Sequence, residues 1–158
     1  TDTQELYRQL VEAADALTAD EPDAVANMAN VASLLWEFLP DLNWAGFYRM
    51  GPAKKGEKDE LVLGPFVGRP ACIRIPVGAG VCGAAAGTGE TQLVADVHAF
   101  PGHIACDAAR QSELVVPVKR DGKVIAVIDL DSPQTGRFDK ADAAGIEELA
   151  ALLSDRIG

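Results

Sequence analysis

The stretch ELVVPVKRDGKVIAVIDLD, residues 113–131, decides the fold because it places two strongly apolar strand patterns around one turn signal. The even-numbered residues are apolar on both sides of the turn. A two-residue turn at residues 121–122 would pair even with odd positions and misalign these apolar faces. A three-residue loop, residues 120–122 with Gly122 in the left-handed conformation, aligns them. The sequence therefore predicts an antiparallel hairpin with a three-residue RDG loop.

The same register predicts a cluster of acids on the second face of the hairpin. Glu113 is predicted to lie opposite Asp129, with Asp131 one step further along. Repulsion among three carboxylates should raise at least one pKa, and a carboxyl with a raised pKa can donate a proton at neutral pH. The cluster would also attract a substrate ammonium group. Acids at strand ends are often merely solvated, so the cluster alone does not establish a function.

Apolar spacings elsewhere predict four helices and three more strands. The helices are predicted at residues 6–17, 25–39 and 81–86 and from Asp139 onward, and the strands at residues 43–50, 60–63 and 91–94. The predicted fold class is α+β, with a mainly antiparallel central sheet, terminal helices packed on one face and pocket-forming loops on the other. Residues 1–158 are predicted to form a single domain.

The composition excludes several classes of function. The chain has 158 residues, a net charge of −10 and 48% hydrophobic residues. The apolar content excludes global disorder, and the negative charge argues against a nucleic acid or an anionic membrane as partner. The polar start, TDTQELYRQL, does not resemble a signal peptide, and no apolar run is long enough to cross a membrane. We therefore expect a cytoplasmic protein, in which thiols stay reduced unless they react.

The three cysteines, Cys72, Cys82 and Cys106, indicate thiol chemistry. Because their number is odd, at least one cannot be in an internal disulfide. Cys106 has polar flanks, HIACDAAR, and lies in residues 94–113, the segment that also contains both histidines. Since this segment leads directly into Glu113, we expect Cys106 to lie near the acids. Cys82, within VCGAAAG, is typical of a small buried apolar residue.

Two further uses of Cys106 are weaker hypotheses. Zinc could be bound by His98, His103, Cys106 and another cysteine, but the spacings do not match the paired ligands of structural zinc sites. A Cys-His pair of the protease type would need a third group to orient the histidine, and the sequence shows none. We therefore predict no metal site.

Four segments together resemble the free methionine-(R)-sulfoxide reductases, which are small stand-alone GAF-domain proteins. The segments are GPFVGRPACIRIP, GAGVCGAA, VADVHAFPGHIACDAARQSELVVPV and VIAVIDLDSPQTGRFDKAD. The resemblance runs from about residue 43 to the end of the chain and includes all three cysteines in order. It implies a GAF-like fold and an oxidoreductase that reduces free L-methionine-(R)-sulfoxide to L-methionine without a cofactor.

The resemblance also implies a role for each cysteine. Cys106 in GHIACD corresponds to the nucleophile, which would be left as a sulfenic acid. Cys72 in RPAC corresponds to the resolving cysteine, which would form a disulfide that thioredoxin then reduces. Cys82 in GVCG corresponds to a third family cysteine, which either relays the disulfide or pairs with Cys72 at rest.

The substrate-binding residues implied by the resemblance are two aromatics and three acids. Trp44 and Tyr48 in NWAGFY correspond to an aromatic wall, and their spacing places them on one face of a strand. Taken alone, each of these two aromatics is as typical of the hydrophobic core as of a pocket wall. Glu113, Asp129 and Asp131 correspond to the pocket acids. Backbone N–H groups would take the substrate carboxylate.

Two other functions compete with the reductase. A GAF domain can be a non-catalytic sensor of a small molecule or of redox state, and a thiol peroxidase-like scavenger would need no methionine pocket. Since the last predicted element is a core helix, we expect no attached output domain. We also expect a pure binding site not to need three cysteines with three carboxylates. Both observations favour the reductase. The sequence leaves open whether two chains form a homodimer.

Overall fold

The structure is a computed structural model, which describes residues 2–102 and 109–158. These residues form four α-helices, six strands and one short 3-10 helix. The helices are α1 (Thr3–Thr18), α2 (Ala24–Phe38), α3 (Gly80–Thr88) and α4 (Lys140–Leu153), and the 3-10 helix is Val97–Ala99. The strands are β1 (Trp44–Pro52), β2 (Asp59–Gly68), β3 (Arg74–Ile75), β4 (Gln92–Val94), β5 (Ser112–Arg120) and β6 (Lys123–Ser132).

The strands form one sheet in the order β3-β2-β1-β6-β5-β4, and each neighbouring pair is antiparallel. Helices α1, α2 and α4 cover one face, and α3 packs on the other. The predicted α+β fold class and its arrangement of helices are confirmed. β3 was not predicted, because two residues are too short to show a periodicity. Among the described residues, no helix is long and apolar enough to cross a membrane.

The central hairpin shows why the predicted register was wrong. Its turn has two residues, Asp121 and Gly122, both with positive φ (53° and 79°), as a type I′ turn requires. The mismatch that argued against this turn is absorbed by a bulge: Val118 pairs with Ala126 but Lys119 with Val124, which leaves one extra residue in β6. From Ala126 onward the even-numbered apolar residues of β6 therefore still face those of β5, and the positive φ of Gly122 is confirmed. On the turn side of the bulge the prediction was wrong, because Val124 packs on the α3 side of the sheet and Ile125 packs on the side of α1, α2 and α4.

The shorter turn and the bulge each move the pairing of the acids by one residue, which is two residues in total relative to the predicted register. Glu113 lies opposite Asp131 instead of Asp129, and Asp129 lies opposite Val115. A shift of two residues preserves the face to which each side chain points. The prediction of the pairing partner was thus wrong, but the three acids do share one sheet face.

The two N-terminal helices lie close to their predicted residues, but not every apolar residue on their predicted buried faces is buried. Leu17, Val25 and Trp36 have the helical spacing that predicts a buried face, yet all three are exposed. Tyr7 is buried instead, and its hydroxyl donates to Asp142 Oδ1 at 2.7 Å on α4. The last helix begins as predicted, because Asp139 caps it and forms a capping box with Asp142.

Gly145 marks the closest approach of α1 and α4. A Cβ at this position would lie 2.2 Å from Tyr7 Cγ, although alanine is the better helix former by about 1 kcal/mol. Because the Tyr7 ring is buried and hydrogen-bonded, we expect Gly145→Ala to lower the free energy of unfolding by about 2 kcal/mol, as overpacking does. Chemical denaturation measures the change. Gly51→Ala, whose Cβ would make only an ordinary contact at 3.5 Å, is the control, and equal losses in both variants would contradict this steric reading.

Candidate functional site

A pocket lies on the α3 side of the sheet. It contains about 460 Å³ of space between atoms, part of which is open solvent. The five predicted substrate-binding residues and one cysteine line it: Trp44, Tyr48, Cys82, Glu113, Asp129 and Asp131. The alternation along β1, β5 and β6 explains this convergence, since their apolar neighbours point to the opposite, helix-covered face.

The three acids are almost completely removed from solvent. Glu113 is 0% exposed, Asp129 3% and Asp131 4%. Asp129 Oδ1 and Asp131 Oδ1 are buried without a hydrogen-bond partner among the described residues. Buried carboxylates without partners are unfavourable, so this face is built to receive a donor or a cation.

Burial changes the protonation of two of these acids. It raises the pKa of Glu113 well above its ordinary value, and the nearby charges of Asp129 and Asp131 raise it further. Burial likewise raises the pKa of Asp131, with Asp129 as the next cause. The prediction that at least one carboxyl has a raised pKa is confirmed. Such carboxyls can carry a proton at neutral pH and release it to a bound molecule.

Arg110 is a pocket residue that the sequence analysis missed. Its Nη1 lies 3.3 Å from Glu113 Oε1, and both side chains are buried. Its positive charge opposes the rise in the pKa of Glu113. Arg110 precedes Glu113 by three residues, which could have suggested an ion pair. Residues 94–113 showed no helical or strand pattern, however, so the spacing did not predict which side chains meet.

Cys82 lies in the first turn of α3 and is 4% exposed, as predicted for a small buried residue. Its Sγ is 3.9 Å from Glu113 Oε2. Burial raises the pKa of this thiol, and the charges of Asp129 and Glu113 raise it further. Because the thiolate is the reactive form, Cys82 is a poor nucleophile in this environment.

The structure describes two of the three cysteines, Cys72 and Cys82. Cys72 is disulfide-bonded and Cys82 has a free thiol, so this structure does not contain a Cys72–Cys82 pair. Cys106, together with His103, lies outside the described residues. The predicted proximity of Cys106 to the acids therefore stays a prediction.

The aromatic wall is a stack of three rings. Trp44 stacks on Tyr48 with ring centroids 5.9 Å apart and on Phe66 at 5.1 Å. Phe66 was not predicted, because only the pairing of β2 with β1 brings it there. Trp44 Nε1 donates to the carbonyl of Arg69 at 3.1 Å, and the Tyr48 hydroxyl donates to the carbonyl of Cys72 at 2.8 Å. The wall therefore holds the segment that carries Cys72.

The N-terminus of α3 provides a positive partial charge at the pocket. Residues 79–82 line the pocket, and Ala79 at the N-cap supplies no side-chain hydrogen bond. The first backbone N–H groups of a helix have no partners within the helix, so they can bind an anion. Acids and unpaired N–H groups thus face the same space, which suits a ligand with both an ammonium and a carboxylate.

Comparisons with known proteins agree with this geometry. The GAF domain family matches residues 1–157. The free methionine-R-sulfoxide reductase of Escherichia coli (strain K12) is 48% identical over 149 residues, which cover 94% of this chain and 87% of the relative. The chain belongs to the free methionine-R-sulfoxide reductase family.

Two solved structures extend the comparison with this family. The free methionine-R-sulfoxide reductase from Neisseria meningitidis, solved in complex with its substrate, superimposes with a TM-score of 0.92 at 45% identity. The match covers 99% of this chain and 91% of that chain. A putative GAF sensor protein from Burkholderia vietnamiensis superimposes with a TM-score of 0.90 at 51% identity, covering 99% of this chain and 96% of that chain.

The raised pKa values make the stability of the fold depend on pH. Folded Glu113 and Asp131 keep protons that the unfolded chain loses above about pH 4, so the free energy of unfolding falls as pH rises towards the folded pKa values. The slope is up to about 1.4 kcal/mol per pH unit for each protonated group. We expect Glu113→Gln to flatten this slope, measured as thermal unfolding from about pH 5 to about pH 9.

The control for this experiment is Glu57→Gln, the same substitution at an exposed position. It should leave the slope unchanged. A Glu113→Gln variant that loses stability with pH as steeply as the wild-type chain would contradict the protonated state of the acid cluster.

Proposed function

We propose that this chain reduces free L-methionine-(R)-sulfoxide to L-methionine by thiol chemistry. The observation that carries the proposal is the enclosed cluster of Glu113, Asp129 and Asp131 beside the stacked rings of Trp44 and Tyr48. An amino acid with a charged head and an apolar thioether end fits these two walls. The substrate complex of the 45%-identical Neisseria protein supports the choice of substrate.

The pocket suggests how the substrate is oriented. The ammonium group would bind the acids, whose buried oxygens lack partners among the described residues. The carboxylate would accept hydrogen bonds from the N-terminal backbone N–H groups of α3. The methyl-thioether end would pack on Trp44 and Tyr48, where apolar burial is favourable.

In the first chemical step, the Cys106 thiolate attacks the sulfoxide sulfur. The sulfoxide oxygen takes a proton from a carboxyl of the acid cluster and is transferred to the cysteine, so methionine leaves and Cys106 becomes a sulfenic acid. The assignment of Cys106 rests on the family motif GHIACD. It is supported by the environment of Cys82, whose buried thiol beside acids is unsuited to this attack.

In the second step, the Cys72 thiol attacks the sulfenic acid and releases water. This forms a disulfide between Cys72 and Cys106, and a dithiol protein of the thioredoxin type then reduces it through a mixed disulfide. The net reaction converts one sulfoxide and one dithiol into methionine, water and one disulfide. The disulfide-bonded state of Cys72 in this structure is consistent with a redox-active role.

A non-catalytic sensor is the competing function, and the 51%-identical Burkholderia protein is described as a putative GAF sensor. A sensor would bind a small molecule in the same pocket without consuming it. Turnover of free methionine-(R)-sulfoxide with a dithiol reductant separates the two functions, since a sensor would produce no methionine.

The first prediction concerns the nucleophile. Cys106→Ser should abolish methionine formation, because no thiolate attacks the sulfoxide. Cys72→Ser should release about one methionine per chain and then stop, because the sulfenic acid is not resolved. Quenched single-turnover reactions followed by chromatography of methionine measure both. Wild-type turnover by Cys106→Ser with a thioredoxin-type reductant would show that another cysteine attacks.

The second prediction concerns the free ammonium group. N-acetyl methionine sulfoxide lacks that charge and should lose the contact with the acids, worth about 1.5–3 kcal/mol, or about 10- to 150-fold in kcat/KM. Asp129→Asn should weaken turnover of the free substrate and have little effect on the N-acetylated one. Asp121→Asn, the same change at the exposed hairpin turn, is the control. Equal efficiency on both substrates would remove the acids from ammonium binding.

A further inference from the structure

One group of side chains in the pocket has the composition of a metal site. Cys82 Sγ and carboxylate oxygens of Glu113 and Asp129 all lie within 4.8 Å of one another. The three residues come from α3, β5 and β6, and each is at least 96% buried. Side chains on packed helices and strands hold their positions better than side chains on loops, which favours a defined coordination geometry.

We propose that Cys82, Glu113 and Asp129 bind a divalent cation of the zinc type, which competes with the substrate ammonium group for the pocket. The binding itself is independent of the proposed function, whereas the competition rests on it. The zinc set rejected from the sequence was His98, His103, Cys106 and another cysteine, whereas this set contains no histidine and adds two carboxylates.

The separation of Cys82 Sγ and Glu113 Oε2 fits a tetrahedral ion. Zinc lies about 2.3 Å from a thiolate sulfur and about 2.1 Å from a carboxylate oxygen. With Cys82 Sγ and Glu113 Oε2 3.9 Å apart, an ion at those distances would make an angle of about 125° between them, close to the tetrahedral value. A third ligand from Asp129 leaves one position for water.

Two further observations indicate that oxygens of Asp129 and Glu113 are free to bind an ion. Asp129 Oδ1 is enclosed and has no hydrogen-bond partner among the described residues, so an ion there would satisfy it. Arg110 approaches Glu113 through Oε1, whereas Oε2 faces Cys82. Arg110 therefore forms an ion pair with the oxygen that faces away from Cys82, and the second oxygen is left for the ion.

The ligand set selects the class of metal. One sulfur with two carboxylate oxygens suits zinc or cobalt, whereas magnesium and calcium prefer oxygen alone. Cys82 has a free thiol while Cys72 is disulfide-bonded, so the sulfur ligand is present in this oxidised form of the chain. Two of the ligands are also proposed to hold the substrate ammonium, and the ion and the substrate therefore exclude each other.

The test uses the full chain as a Cys72→Ser/Cys106→Ser double variant, in which Cys82 is the remaining thiol. Cobalt(II) is added without oxygen, and we expect one equivalent to give a sulfur-to-cobalt charge-transfer absorption that zinc displaces. Adding Cys82→Ser should remove the band. Cobalt binding without any thiolate band in the folded double variant would overturn the proposal.

The carboxylate ligands are tested in the same background. Glu113→Gln and Asp129→Asn should each weaken cobalt binding by at least about 10- to 100-fold. Asp131→Asn removes the same charge from the same sheet face but lies outside the ligand set, so its effect should be smaller. Equal weakening by all three substitutions would reduce the site to general electrostatic attraction and overturn the proposal. Near-ultraviolet circular dichroism shows that each variant is folded.

Competition is measured by adding free methionine sulfoxide to the cobalt-loaded double variant, in which loss of the band is expected and its persistence contradicts shared ligands. Turnover is measured separately on the wild-type chain without metal. A chain that reduces the sulfoxide but binds no cobalt refutes the metal site alone. A chain that binds cobalt through Cys82 but yields no methionine refutes the proposed function alone.

Discussion

The burial of three carboxyl groups on one face of an antiparallel sheet is the constraint on which this pocket depends. Glu113, Asp129 and Asp131 lie where apolar side chains would otherwise pack. Such groups are stable only if they keep protons, pair with a cation or accept hydrogen bonds from a bound ligand. Arg110 offsets part of the charge through its contact with Glu113. The negative charge that Arg110 leaves uncompensated favours ligands that carry a positive charge.

Apolar packing on the opposite face of the sheet offsets the cost of burying these acids. Helices α1, α2 and α4 cover the even-numbered apolar residues of β5 and β6, so the same two strands that carry the acids are anchored by a large apolar layer. A site on anchored strands keeps its side chains within tenths of an ångström of a working geometry. Function therefore lies on the odd-numbered residues, and most of the stabilisation comes from the even-numbered ones.

The sequence was informative wherever a periodicity or a cap acts locally. It predicted the two faces of the central hairpin, the positive φ of Gly122 and the cap at Asp139, because each depends on residues close together in the chain. It missed the partner of Glu113, since a bulge near Val118 changes the parity of the pairing without a distinct residue signature. It also missed Phe66, which stacks on Trp44 only because β2 pairs with β1.

The hydrogen bond from the Tyr48 hydroxyl to the carbonyl of Cys72 links the aromatic wall of the pocket to the backbone of a disulfide-bonded cysteine. One end is a ring proposed to touch the substrate, and the other is the backbone of the disulfide-bonded Cys72, which is proposed to cycle between thiol and disulfide. Free energy exchanged between two such sites is reciprocal. If bound ligand shifts the ring, it shifts the reduction potential of the disulfide by an equivalent amount, and oxidation of Cys72 alters ligand affinity in return. The tyrosine would thus couple occupation of the pocket to the redox state of Cys72.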